Sequence, residues 1–243
     1  QMSKPGTPGA YHFAPTMFNL RERLASQWAT AKKHLMLVLL FVGILWAVLI
    51  IDTALPDHWI DLRNAGIRPR TVSGLLCIFT APFLHVNVFH LLANTLPLVI
   101  LGWILVLSGR GLFLQVCAVT ALTSGLGAWS LGHGDMIHEG ASGVLFGLLG
   151  FLLTRGWFAR RIVWTVTSAC VGLFYLGEVL GLLRDSPGIS WSSHFWGFAG
   201  GIGMAWWMYG RPGVQPAAPV AKAEKTTAAV KLPRARLSGK APR

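Results

Sequence analysis

Two short stretches of this chain carry the residue types that acyl-transfer chemistry requires. Gly140-Ala141-Ser142-Gly143 opens an apolar run over 144–153, and Ser193-His194-Phe195-Trp196-Gly197 opens another. A serine hydroxyl is a weak nucleophile until an adjacent base takes its proton. A neutral imidazole such as that of His194 can take that proton and later return it to a leaving amine. A third stretch, 84–94, holds His90 and Asn94 four residues apart, on one helical face. With the Ser142 backbone N–H they make a set of donors suited to the oxyanion of a tetrahedral intermediate. Taken singly, each feature has a bland reading. A membrane serine can bond its own helix, His90 with Asn94 can clasp two helices, and His194 can be an interfacial histidine. Their shared depth, order and orientation argue for chemistry. No acid is placed to orient His194, so the pattern reads as a dyad; Asp135 and Glu139 fall on a loop, and Glu178 has no assigned role.

The elements that must position these groups are membrane spans. The 243 residues are 53% hydrophobic and 12% charged, about half the charge fraction of a soluble domain. Apolar runs predict spans at about 34–51, 84–107, 112–131, 140–157, 161–183 and 191–210. The chain divides into a segment 1–33 with a basic amphipathic helix from Met17, a six-span domain 34–210, and a basic, unstructured tail 211–243. The connector 52–83 is expected to be structured and to rest in the interface. The net charge of +12 lies between and beyond the apolar runs, which argues against nucleic-acid binding. Only Arg63, Arg68, Arg70 and Arg184 of the 21 Lys and Arg fall on the side opposite the N-terminus. The bias places both termini in the cytoplasm and Ser142 and His194 toward the outer face. Cys77, Cys117 and Cys170 are isolated and form neither a disulfide framework nor a metal motif. Gly143 and Gly147, and Gly197 and Gly201, are small-xxx-small patterns that let the fourth and sixth spans approach closely.

These motifs resemble those of the rhomboid intramembrane serine proteases. His90-x-x-x-Asn94, Gly140-x-Ser142-Gly143 and His194-x-x-Gly197-x-x-x-Gly201 stand in the family's order, and His85 matches a further histidine common five residues before the second-span one. The resemblance, to the bacterial six-span type, implies an all-α, multi-pass plasma-membrane protein. Its six-helix bundle would enclose a water-filled cavity open to the outer face. It implies cleavage of transmembrane segments of other proteins, with Ser142 as nucleophile and His194 as base. His90, Asn94 and the Ser142 N–H would form the oxyanion hole; no metal or organic cofactor is expected. The fifth helix and the loop before the sixth, about 161–190, would act as substrate gate. The family's Trp-Arg pair in the first outer loop has no direct match: Trp59 and Arg63 are four apart, and the loop reads Gly66-Ile67-Arg68-Pro69-Arg70. Two alternatives stay open: an escort that binds transmembrane segments without cutting them, and a small transporter using the polar cluster.

Overall fold

In hydrocarbon every backbone N–H and C=O must find its partner within the segment, so apolar runs of this length fold as helices. The computed structural model describes residues 16–55, 62–182 and 189–211. Its helices are α1 (Thr16–Ala54), α2 (Val72–Leu76), α3 (Val88–Val106), α4 (Arg110–Leu131), α5 (Ser142–Ala159), α6 (Ile162–Phe174), α7 (Leu176–Gly181) and α8 (Trp191–Tyr209). The protein is a polytopic helical bundle built from α1, α3, α4, α5, α6 and α8. Trp28–Ala54, α3, α4 and α5 are each long and apolar enough to cross a membrane. α6 is apolar but has 13 residues. α8 has 19 residues, its apolar character diluted by Ser192, Ser193, His194 and four glycines.

α5 is the axis. Its residues from Gly143 to Leu152 are all buried, and it packs against α8, α6, α4 and α3. The glycines decide how close these helices come. A Cβ on Gly197 would strike the Gly143 carbonyl, and one on Gly201 would strike the Gly147 carbonyl, so α8 lies backbone to backbone on α5. The missing side chains of Gly143 and Gly147 themselves make room chiefly for Ser124 and Thr120 of α4. The four glycines therefore join three helices, where a two-helix contact was expected. Leu98, Leu101, Leu105, Leu148, Leu149, Phe151 and Leu152 fill the core below the site.

Three sequence expectations are revised. Among the described residues the helix expected from Met17 is not separate from the first span: α1 is one helix of 39 residues, roughly 58 Å at 1.5 Å per residue. The stretch Ala29–Met36 contains no Gly or Pro to break it. The second span begins at Val88 rather than at residue 84, because Asn87 caps it, its side chain accepting the His90 N–H at 2.9 Å; His85 thus lies outside the helix. The fifth span is two helices, broken at Tyr175 (φ −110°, ψ 21°), in a stretch where Gly172, Gly177 and Gly181 each weaken helix. The expectations for residues 1–15, for Trp59 and for the chain after Arg211 fall outside the described residues.

The connector after α1 is ordered, as expected, from Leu62 to Phe83, in α2 and three short 3-10 turns. Ile67 pairs with His138 through two backbone hydrogen bonds of 2.9 Å, and the Arg70 guanidinium donates to the Gly132 carbonyl at 2.9 Å at the C-terminal end of α4.

The glycine packing gives a contrast to test. Gly201→Leu forces α8 off α5 and should cost about 1–3 kcal/mol, whereas Gly203→Ala, with nothing within 4 Å of its added methyl, should leave stability unchanged or raise it slightly. Thermal unfolding in detergent measures both, and equal melting of the two variants would contradict this packing.

Candidate active site

α3, α5 and α8 all begin at one end of the bundle, and their first turns bring the candidate groups together. Ser142 Oγ and His194 Nε2 are 2.9 Å apart, a hydrogen bond between residues 52 apart in sequence. The imidazole is held from the side by Phe146, whose ring stacks on it with centroids 4.4 Å apart and planes 25° apart. Phe146 follows Ser142 by one helical turn, so hydroxyl and ring share a face of α5. Sequence reasoning did not single Phe146 out, although its spacing carries that signal.

α5 differs from its neighbours at its start. Asn87 caps α3 and Ser190 caps α8 with side-chain acceptors, but Ala141 gives α5 none. The first N–H groups of a helix lack intrahelical partners, and here that of Ser142 is among them. The Ala141 N–H is taken by His85 Nε2 at 3.3 Å. An imidazole nitrogen that accepts cannot carry the proton, so His85 holds it on Nδ1. His85 is buried and sits edge-on to His90, centroids 5.2 Å apart.

His90 and Asn94 line the same cavity as Ser142 and His194. Asn94 is buried, and its amide donates to the His90 carbonyl at 3.1 Å; that bond uses one of the amide's two N–H groups. Gly140 packs on the His90 ring: a Cβ there would lie 2.8 Å from His90 Cε1. Its φ of +122° is a conformation L side chains rarely adopt, and its N–H donates to the Ala81 carbonyl at 2.9 Å. Gly143, Gly197 and Gly201 act as described for the fold.

The cavity measures ≈ 530 Å³, and Glu178 of α7 and Glu139 also line it. Glu178, without a role in the sequence reading, therefore faces the site. Pro97, inside α3, also lines it. Proline has no N–H, so the Ala93 carbonyl one turn earlier loses its helical donor, and Ala93 too faces the cavity, where water can satisfy it. Sequence reasoning also passed over His138, buried in the loop before α5, whose Nδ1 lies 2.7 Å from Ser190 Oγ. Burial first, opposed by its hydrogen bond to the His133 carbonyl, holds His138 below the ordinary histidine pKa.

A serine bonded to an imidazole, beside uncapped helix N–H groups and a half-used amide, is an arrangement capable of acyl transfer. Comparison with known proteins points the same way. Residues 73–211 match the family model described as the Rhomboid domain. An uncharacterized protein of Mycobacterium tuberculosis is 38% identical over 178 residues, covering 70% of this chain and 72% of its own length. An uncharacterized Mycobacterium leprae protein is 37% identical over 177 residues, 70% and 69% of the two chains. The candidate rhomboid protease YdcA of Bacillus subtilis is 28% identical over 170 residues, 68% and 85% of the two chains.

Gly140 offers a direct test of how the site is built. Gly140→Ala places a side chain at positive φ and against His90, and should cost about 1–3 kcal/mol. Thermal unfolding should show the loss, and a wild-type melting curve would mean that the turn tolerates other backbone angles.

Proposed function

The chain belongs to the Rhomboid family, and from that premise we propose that it is an intramembrane serine endopeptidase working by a Ser142–His194 dyad. The observation that carries this reading is the 2.9 Å contact between Ser142 Oγ and His194 Nε2, made across two helices of a largely apolar bundle. Polar groups at such depth are costly and face the interior where they serve a function.

In the proposed mechanism His194 Nε2 takes the Ser142 proton as Oγ attacks the scissile carbonyl. The carbonyl oxygen becomes an oxyanion facing the Ser142 N–H, the second amide N–H of Asn94 and the ring N–H of His90. His194 returns the proton to the leaving amine, which departs and leaves an acyl-enzyme on Ser142. A water then enters, gives a proton to His194 and attacks the ester; collapse releases the new carboxyl end and restores Ser142. Phe146 keeps the imidazole in plane through both proton transfers, a task performed in other serine hydrolases by a carboxylate.

The substrates in this reading are transmembrane segments of other proteins, met in the bilayer. Lys/Arg bias supports a topology with cytoplasmic termini and the cavity opening to the outer face. A transporter would need a polar route through the full depth. Here the cavity reaches Pro97, Leu145 and Phe146, and below it Leu98, Leu101, Leu105, Leu148, Leu149 and Leu152 are almost wholly buried. An escort has no need of a bonded serine and imidazole.

Ser142→Ala and His194→Ala should each drop cleavage of a model transmembrane substrate by on the order of a millionfold, to background, with folding retained. Wild-type turnover by Ser142→Ala protein would sink the reading. His90→Ala and Asn94→Ala should each cost up to about a hundredfold to a thousandfold in kcat, less if the remaining donors compensate. The double variant should approach the Ser142→Ala background; normal cleavage by it would make the pair a helix clasp.

A further inference from the structure

One side-chain bond at the mouth of the cavity has no part in the mechanism above. His138 Nδ1 and Ser190 Oγ are 2.7 Å apart, and His138 is only 3% exposed. The other ring nitrogen, Nε2, lies 3.2 Å from the His133 carbonyl. A carbonyl only accepts, so Nε2 carries the proton and Nδ1 accepts from the Ser190 hydroxyl. Both partners are anchored elsewhere. The His138 backbone exchanges two hydrogen bonds of 2.9 Å with Ile67. Ser190 Oγ accepts the Ser193 N–H at 3.4 Å as the cap of α8, and the Ser190 carbonyl accepts the His194 N–H at 3.1 Å.

The placement is regular. His138 precedes Ser142 by four residues, and Ser190 precedes His194 by four. Two arms of four residues each, one a loop and the other the first turn of α8, are joined at their base by His138 and Ser190 and at their tips by Ser142 and His194. Gly197 and Gly201 fix how closely α5 and α8 lie, but Gly197 is nearly a turn beyond His194. That contact reaches the first turn of α5 at Gly143, where Ser193 also packs; ahead of both helices, at the ends that fray, the His138–Ser190 bond is the side-chain brace between the arms.

We propose that His138 is a positioning residue, its bond to Ser190 holding the first turns of α5 and α8 at the spacing at which Ser142 and His194 meet. The inference rests on the protease reading. A displacement of 1 Å at reacting atoms can cost about a hundredfold, so a brace at this point governs kcat. Because His138 and Ser190 also line the cavity, a role in substrate contact is the rival, and it would act on KM.

The test uses the full chain purified in detergent, with a model transmembrane substrate and a small fluorophosphonate probe that reports Ser142 reactivity without substrate subsites. His138→Ala and Ser190→Ala should each lower kcat and the labelling rate by about 10- to 100-fold, with KM held within about twofold. The double variant His138→Ala/Ser190→Ala should lose clearly less than the product of the two single losses, since both remove the shared bond, while Ser190→Ala also removes the α8 cap and His138→Ala the bond to the His133 carbonyl. His138→Asn returns an acceptor oxygen at the δ position and should restore most of the rate. Wild-type kcat in Ser190→Ala, additive losses in the double variant, or a loss confined to KM would each overturn the proposal. Should His138→Ala fail to fold, Ser190→Ala and His138→Asn read the same bond. A wild-type chain that neither cleaves nor labels overturns the protease reading itself, and the brace's catalytic role with it.

Discussion

The backbone contact between α5 and α8 is the constraint on which the rest depends. Two helices ordinarily pack with axes 8–10 Å apart, set by the side chains between them. Here Gly197 and Gly201 remove those side chains and let α8 rest on the Gly143 and Gly147 carbonyls. At a wider spacing the serine on one helix and the imidazole on the other, both half-buried on the cavity wall, would not reach each other. The close approach joins them in one hydrogen bond of 2.9 Å. Gly143 and Gly147 in turn admit Ser124 and Thr120 from α4, so the register of three helices is set together. Once that register is fixed, the position of Ser142 follows from the loop that leads into it. Gly140, Ala141 and His138 in that loop are each tied to a separate element, through Ala81, His85 and Ile67.

A reaction that consumes water inside an apolar bundle needs a boundary between wet and dry. Above it, the cavity gathers the uncapped start of α5, the carbonyl freed by Pro97, and the side chain of Glu178. Below it the leucine-rich core is closed. At the far end the one buried guanidinium among the described residues, Arg155, is kept by other means. It donates to Ser108 Oγ at 2.7 Å and stacks over Trp164 with its Cζ 3.4 Å from the ring centroid. Aromatic faces attract a cation, so this charge ties α5 to α6 and to the α3–α4 turn.

Much of this was legible in the sequence because the signals are local and of fixed period. Gly143 with Gly147, His194 with Gly197 and Gly201, and His90 with Asn94 each lie on one helix face. Spacing alone therefore placed them before any contact was known. Depth then brought the three faces together. What escaped has a common cause, which is that it depends on pairing between segments distant in sequence. His138 and Ser190 are 52 residues apart and gain meaning only as partners. Arg155 reads as an ordinary cytoplasmic charge until Trp164 and Ser108 are seen around it. The continuity of α1 was missed for a different reason. A change from basic to apolar composition at residue 34 looks like a boundary, yet composition breaks no backbone hydrogen bond, and no residue there does either.

The break in the fifth span shows how the bundle differs between its two ends. Near its start α6 is locked to α5. The Ser168 hydroxyl inserts into the α5 ladder, accepting the Gly156 N–H at 3.0 Å and donating to the Leu152 carbonyl at 2.6 Å. A side chain inserted into the ladder is a recognised cause of helix bending, and here it also fastens one helix to the next. Toward the site Val171 and Leu182 stay in the core with Tyr175 and Val179 packed on it, while Leu173, Phe174, Leu176 and Leu180 are exposed, the helix breaks at Tyr175, and Glu178 lines the cavity. The helix break at Tyr175 distinguishes this corner from the unbroken α4–α5–α8 contact that holds the Ser142–His194 geometry. In the proposed reading a substrate segment comes from the bilayer, and the broken α6–α7 corner is the expected place of entry.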